Sequence, residues 1–391
     1  MPANSLTFNQ IATILNSVVQ QATGKAVLTP TNTNDFVTVA QTGLLAGYDN
    51  LMGAISQVLS RTIISNRAYG RKFRGLEADN IRWGNHVRKI NYVDRQWQDS
   101  GRLPITNGVA VDDQKPILDN VLQTNFYGQN DYEIQWTLYA NQLDVAFHDP
   151  DEFGRFVSGK LQNISDMVEQ KHESMARMII ANLIAGIITI GNTNQVVHLL
   201  TEYNTATGLN LTNITVYQPA NFPAFIKWAY ARIAAVSSML TERTTIFHQN
   251  VTGKEISRHT PQAYQRIYLY APTRYQVDAR VLADTFHDTY LDRAYTETVN
   301  FWQSVSTPDT INITPVYMKA DGTLDSPASA VNQANVFGII MDAEAAGYTV
   351  CNQRTTMAPF NASGEYQNAF LKFTDRYWND YTESAVVLLM D

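Results

Sequence analysis

The sequence predicts an α+β fold that contains one very long helix, an extended strand pair and a separate α/β unit. Three observations predict it. Apolar residues recur at helical spacing from residue 150 to about residue 190. Strand-like segments separated by a long polar stretch precede that helix, and mixed helical and strand segments follow it. The chain has 391 residues, more than one compact core usually needs, so several subdomains are expected.

Composition limits the functions that the chain can have. Hydrophobic residues make up 45% of the chain, enough to bury a sizeable core, whereas charged residues make up only 17%. A low charge content is typical of surfaces that face other protein copies. The net charge is −7, and the densest basic run, residues 67–74, holds four cations. A protein that grips DNA through its phosphates normally has a basic stripe. Sequence-specific DNA recognition is therefore not expected.

Residues 1–73 are predicted to form an N-terminal arm. An amphipathic helix from Leu6 to Val19 leads into a Thr/Asn-rich loop, and a second helix follows from Gly47 to Ile64. Neither helix is long enough to form a domain alone.

Residues 74–140 are predicted to form an extended hairpin. The segment 132–138 alternates apolar and polar residues as a half-buried strand does, and 87–93 and 121–127 are also strand-like. The polar tip from Asp94 to Asp119 is longer than most structureless loops of compact domains. A strand pair of this kind is not stable alone in water, so it needs a partner. The tip residues expected to contact another subunit are Trp97, Arg102, Leu103, Pro104 and Ile105.

The long helix has a clear N-terminal signal. Asp149 is a natural N-cap and Pro150 suits the first helical position. About 40 residues of helix extend about 60 Å. His172 and Glu173 form half of a zinc-protease motif, but the position four after His172 is Ala176, so the second metal ligand is missing. A packed histidine on a structural helix is predicted.

The remainder of the chain divides into two predicted parts. Residues 191–342 alternate helical and strand-like segments as an α/β unit does, including a helix from Phe222 to Leu240 and one opened by Pro272. Residues 343–391 are rich in strands. The single cysteine, Cys351, allows no intramolecular disulfide. The most apolar run, Met178 to Ile190, is too short to span a bilayer, and no membrane association is expected.

No sequence signature of catalysis is present. The chain has no G-x-S-x-G elbow, no Walker loop and no G-x-G-x-x-G motif, and its seven histidines are scattered without paired ligand spacing. The carboxylates of the segment His148 to Asp151 are explained by helix capping. We therefore expect no enzyme, no catalytic or metal-binding residue, and no cofactor.

The order of these parts resembles the major capsid proteins of tailed bacteriophages, which have the Hong Kong-97-type fold. Several segments resemble those of small short-tailed phages in particular. They are residues 123–164, which lead into the long helix, residues 266–295, residues 311–316 (INITPV), residues 336–350 and residues 370–389. The resemblance implies an N-terminal arm (1–73), an E-loop (74–140), a peripheral domain with the spine helix (141–190), an axial domain (191–342) and C-terminal strands that return to the peripheral domain (343–391).

The resemblance also implies a function. A member of this family would assemble as hexamers and pentamers into an icosahedral shell around a double-stranded DNA genome, which it would package without sequence-specific binding. Scaffolding, portal and decoration proteins would be its partners, the virion its location and the bacterial host cytoplasm its place of assembly. An encapsulin-type nanocompartment has the same fold and is the first alternative. A soluble aromatic-rich binding protein or hydrolase is the second.

Overall fold

The computed structural model describes residues 8–24, 29–45, 47, 50–55, 72–78, 87–95, 118–147, 150–271 and 295–391. The architecture is α+β, as the sequence predicts. Six helices of at least seven residues occur in the described part: α1 (Phe8–Thr23), α2 (Thr33–Leu44), α3 (Ala140–Ala146), α4 (Pro150–Ile190), α5 (Leu199–Thr207) and α6 (Phe222–Met239). The predicted helix opened by Pro272 lies outside the described residues.

The N-terminal segment is more helical than predicted. Helix α2 occupies the stretch that was expected to be a Thr/Asn-rich loop, and that expectation was wrong. The Asn32 side chain caps α2 by accepting a hydrogen bond from the Asp35 backbone N–H (2.9 Å). Phe36, Val39 and Ala40 then lie on one buried face. Residues 50–55 of the predicted second helix are helical, and the rest of that helix lies outside the described residues.

The first core joins this segment to the N-terminal half of α4. Helix α1 buries Ile11 and Leu15 in the same cluster as Phe36 and Phe153. The rings of Phe36 and Phe153 lie 5.9 Å apart. The described part of the arm is therefore packed into a core, because its apolar faces lie against the start of α4, to which α3 and residues 134–138 also contribute buried residues.

The long helix forms as predicted, with 41 residues from Pro150 to Ile190. Its last 29 residues, Gln162–Ile190, are long and apolar enough to cross a membrane by length and composition. The prediction that the apolar run is too short to span a bilayer considered only residues 178–190 of this segment. In the structure, 61% of the most apolar 18-residue stretch of this segment is buried inside the protein. These side chains, among them Ile180, Leu183 and Ile184, belong to the second core.

Two sheets flank this helix. The three-stranded antiparallel sheet has the order β12-β13-β3, formed by β3 (Gln129–Tyr139), β12 (Ala346–Met357) and β13 (Tyr366–Asn379). The predicted alternation in β3 is confirmed, because Ile134, Trp136 and Leu138 are buried. The strand predicted within the extended hairpin thus pairs with the C-terminal segment.

The second sheet is five-stranded, with the order β4-β14-β11-β5-β6. Its strands are β4 (Val196–His198), β5 (Gln265–Tyr270), β6 (Tyr295–Val299), β11 (Val336–Asp342) and β14 (Ala385–Leu389). Helices α5 and α6 cover one face and form the third core, with Phe225, Ile226 and Ile233 fully buried. Strand β14 lies between β4 and β11, so the C-terminal segment contributes strands to both sheets.

Smaller strand pairs complete the fold. Strands β1 (Val87–Tyr92) and β2 (Val121–Phe126) form an antiparallel pair, as predicted for both segments. Between β6 and β11 lie two further pairs: β7 (Ile311–Ile313) with β10 (Val331–Gln333), and β8 (Tyr317–Met318) with β9 (Leu324–Asp325).

Candidate assembly surface

The β1–β2 hairpin has two different faces. Residues opposite each other in an antiparallel pair share a face, and successive residues alternate between faces. The register pairs Lys89 with Thr124 and Ile90 with Gln123, so these two pairs lie on opposite sides. Side chains on the inner hairpin face are partly buried against the body: Val87, Lys89, Asn91, Leu122, Thr124 and Phe126. We define the outer hairpin face as Arg88, Ile90, Tyr92, Val121, Gln123 and Asn125.

Lys89 anchors the inner face to the body through a cluster of carboxylates. Its ammonium lies 3.1 Å from Asp380 Oδ2 and 2.9 Å from Glu344 Oε2, and it also contacts Glu383 Oε1. Asp380 and Glu383 are buried. Arg258 adds a second cation, with Nη2 3.0 Å from Glu383 Oε1. Burial of unpaired charge is costly, so two cations in contact with these carboxylates stabilise the attachment.

The pKa values of the cluster follow from its charges. Burial by itself lowers the pKa of Lys89, but the Asp380 and Glu383 carboxylates outweigh burial and raise the pKa above its ordinary value. The pKa of Glu383 is also raised, because burial outweighs its attraction to Lys89 and Arg258. The raised pKa of Lys89 and the raised pKa of Glu383 are compatible. The Lys89 ammonium contacts three carboxylates, whereas these carboxylates share that one ammonium.

A second anchor lies where the hairpin meets its tip. Asp94 Oδ2 accepts a hydrogen bond from the Ser257 backbone N–H (2.6 Å), and Asp94 Oδ1 pairs with Arg243. The hydrogen bonds from Ser257 lower the pKa of Asp94 below its ordinary value. On the other strand, Lys254 Nζ donates to the Val121 carbonyl oxygen (3.1 Å). Both strands of the hairpin are therefore attached to the loop between α6 and β5.

A third attachment lies ahead of the hairpin in the chain, at Phe73. Phe73 is fully buried and has a left-handed backbone (φ 61°), which is unusual for a residue other than glycine. Its backbone N–H donates to the Glu297 carboxylate at 2.9 and 3.0 Å. The Arg177 guanidinium of α4 lies 5.3 Å from the centre of the Phe73 ring and 3.8 Å from that of Phe301. Phe73, ahead of the hairpin in the chain, is thus held by contacts with α4 and β6.

The outer hairpin face carries exposed apolar side chains. Ile90 is 48% exposed and Tyr92 is 68% exposed, and Leu118, just before β2, is 88% exposed. Adjacent exposed apolar residues on an anchored strand pair are typical of protein–protein interaction sites. No surface of the described residues covers these three side chains.

The structure does not test the site prediction, because its residues are not among those described. Trp97, Arg102, Leu103, Pro104 and Ile105 all lie outside the described residues, so their contacts stay a prediction. Sequence reasoning missed Ile90 and Tyr92. Their positions two apart in a strand-like segment are a signal that could have found them.

His172 is a packed residue in the interface between α4 and the three-stranded sheet. It is buried, and its Nε2 lies 2.9 Å from the Tyr132 hydroxyl and 3.4 Å from Asp375 Oδ2. Its neighbour Glu173 pairs with Arg177 one turn along the helix at 2.6 Å. Among the described residues, no group of three or more His, Cys, Asp or Glu side chains is arranged so that it could hold a metal ion.

Comparison with solved structures identifies the class of protein that this architecture defines. The fold matches a chain in the capsid structure of Staphylococcus phage Andhra with a TM-score of 0.53 and 10% identity, over 83% of this chain and 86% of that one. It matches a chain in the structure of the head fiber and inner core protein gp22 of native bacteriophage P68 with a TM-score of 0.52 and 9% identity, over the same shares. The fold is therefore that of the Hong Kong-97-like phage capsid proteins.

The sequence comparison names the family. The family model for the Phi29-like phage major capsid protein matches residues 11–389, nearly the whole chain. The chain belongs to that family. It is a phage major capsid protein, a structural subunit of the icosahedral shell and a component of the virion, where copies associate with one another. No curated protein matches the chain by sequence.

Proposed function

We propose that the hairpin is the part of this subunit that joins one copy to the next. The observation that supports this is the contrast between its faces: the inner face is attached by buried ion pairs, whereas the outer face exposes Ile90 and Tyr92. A hairpin held in this way presents an apolar surface at a defined position. The predicted tip contacts of Trp97, Arg102, Leu103, Pro104 and Ile105 would extend the same surface.

The proposal includes the parts of the function that concern partners. Hexamers and pentamers of the subunit would form the shell in the bacterial cytoplasm, with scaffolding, portal and decoration proteins as partners. The genome would be double-stranded DNA, enclosed without sequence-specific contacts, because the net charge of −7 does not favour a continuous phosphate-binding surface. The subunit would have no catalytic activity and no cofactor. Family membership favours this function over a nanocompartment shell.

We also propose the division of the chain given by the resemblance. The arm would comprise 1–73, the E-loop 74–140, the peripheral domain 141–190, the axial domain 191–342 and the returning strands 343–391. The separation of the first core, around α1 and α2, from the third core, around α6, supports distinct peripheral and axial units.

The double variant Ile90→Ser/Tyr92→Ser tests the role of the outer hairpin face. Both side chains are exposed in the subunit, so its free energy of unfolding should change by less than about 0.5 kcal/mol per substitution. Assembly should fall sharply, because the apolar area that a neighbour would bury is lost. Analytical ultracentrifugation measures the assembled fraction, and thermal melting by circular dichroism measures the fold.

Tyr264→Ser is the matched control. Tyr264 is 62% exposed, like Tyr92, but lies outside the hairpin. The control should assemble as the wild type does. Wild-type assembly by the double variant would show that the outer hairpin face has no role in joining subunits.

A further inference from the structure

Arg376 is a buried cation without a counterion in the described part of the chain. It lies on β13 and is 7% exposed. Its Nε and Nη1 atoms are buried, and neither has a hydrogen-bond partner among the residues that the structure describes. No ion pair among the described residues includes its guanidinium. A guanidinium offers five N–H donors and keeps its charge at every physiological pH, so it cannot escape the cost of burial by losing a proton.

The neighbouring Asp375 does not fill this role. Successive residues of a strand point to opposite faces of the sheet, so these two side chains diverge. Asp375 is fully buried on the α4 side, where its Oδ2 faces His172 Nε2 at 3.4 Å. Arg376 therefore lies on the other side of the sheet, away from α4.

The carboxylates on that side are already engaged. Along β13, Lys372 and Thr374 share the face of Arg376. Thr374 Oγ1 donates to Asp131 Oδ1 (2.7 Å), and Lys372 Nζ lies 3.6 Å from Glu133 Oε2. Asp131 Oδ2 accepts a further hydrogen bond from the Gln129 side chain (2.8 Å). Each acidic side chain of β3 on this face thus has its own partner, and none pairs with Arg376.

We propose that Arg376 is the binding position for a carboxylate side chain of a second copy of this chain. An unpaired buried charge is unfavourable within one subunit, and an acidic group delivered from outside would satisfy it. A guanidinium forms strong charge-assisted hydrogen bonds with a carboxylate. The chain carries 36 acidic against 29 basic residues, so a second copy offers carboxylates in excess. This inference rests on the proposed self-assembly.

Arg376→Gln tests this assignment against Arg354→Gln. Arg354 lies on β12 directly across from Lys372 on the same sheet, but its side chain is exposed. In the isolated subunit, Arg376→Gln should leave the melting temperature unchanged or raise it, because it removes an unpaired buried charge. Assembly of Arg376→Gln, measured by light scattering and electron microscopy at equal protein concentration, should need at least about tenfold more protein than the wild type. Arg354→Gln should assemble normally.

Three outcomes would overturn the assignment. A clearly lower melting temperature for isolated Arg376→Gln would show that the guanidinium stabilises its own subunit. Equal assembly of wild type and Arg376→Gln would show that no partner uses it, whereas failure of the wild type itself to assemble would count against the proposed function. In a shell structure, a carboxylate of a neighbouring copy within 4 Å of the guanidinium would support the assignment. A nucleic-acid phosphate or another protein there would contradict it.

Discussion

Replacing Gly186 by alanine should lower the free energy of unfolding by about 1–3 kcal/mol, although alanine is the better helix former. Gly186 is buried near the C-terminal end of α4, which ends at Ile190. A β-carbon there would lie 2.1 Å from Tyr381 Oη and 2.6 Å from two atoms of its ring. Tyr381 is buried, and its hydroxyl lies 2.9 Å from the Val316 carbonyl oxygen. The ring cannot move without losing this hydrogen bond and its packing. Urea unfolding followed by circular dichroism measures the loss.

Gly159→Ala on the same helix is the control. Apart from the adjoining residues and the local helix backbone, no atom of the described residues lies within 4 Å of a β-carbon placed at Gly159. Alanine should therefore stabilise the protein by up to about 1 kcal/mol through helix propensity alone. If Gly186→Ala were as stabilising as Gly159→Ala, the close packing of Tyr381 on α4 would be wrong.

Replacing Lys89 by methionine should lower the free energy of unfolding by about 3–5 kcal/mol, because it leaves buried carboxylates with one cation fewer. Asp380 and Glu383 would be the affected groups. Arg95→Gln is the control, since its pair with Asp119 is exposed on both sides and should contribute less than about 1 kcal/mol. Urea unfolding of both variants at pH 7.5 gives the comparison. A loss for Lys89→Met no larger than for Arg95→Gln would contradict the buried anchor.

The loss in Lys89→Met should also depend on pH. The pKa of Glu383 is already raised by burial, and removal of Lys89 takes away an attraction that lowers it. Glu383 then keeps its proton to a higher pH in the folded state than in the unfolded state, so stability falls as pH rises through that range. The destabilisation should be smaller at pH 5 than at pH 7.5. A loss that is the same at both pH values would place the effect of Lys89 in packing rather than in charge.

Local sequence patterns predicted the elements that depend on neighbouring residues. The spine helix follows from apolar residues at helical spacing over some 40 residues and from the start at Pro150. The strand β3 follows from strict alternation. Helix α2 was missed because its Thr and Asn residues favour loops, whereas Phe36 and Val39 bury against α1 and α4 and override that preference. The tip residues of the candidate site were chosen from loop length and polarity, which carry no information on contacts.

Only the tertiary structure decided which distant segments meet. The sequence could not assign β13 as the partner of β3, or the position between β4 and β11 to β14, because strand pairing depends on contacts between residues that are far apart in the chain. For the same reason nothing in the sequence around Lys89 indicates its contact with Asp380, and nothing around Gly186 indicates that Tyr381 packs against it. Periodicity and capping act over a few residues, so they can be read along the chain. Charge compensation and close packing act through space, so the fold is needed to show them.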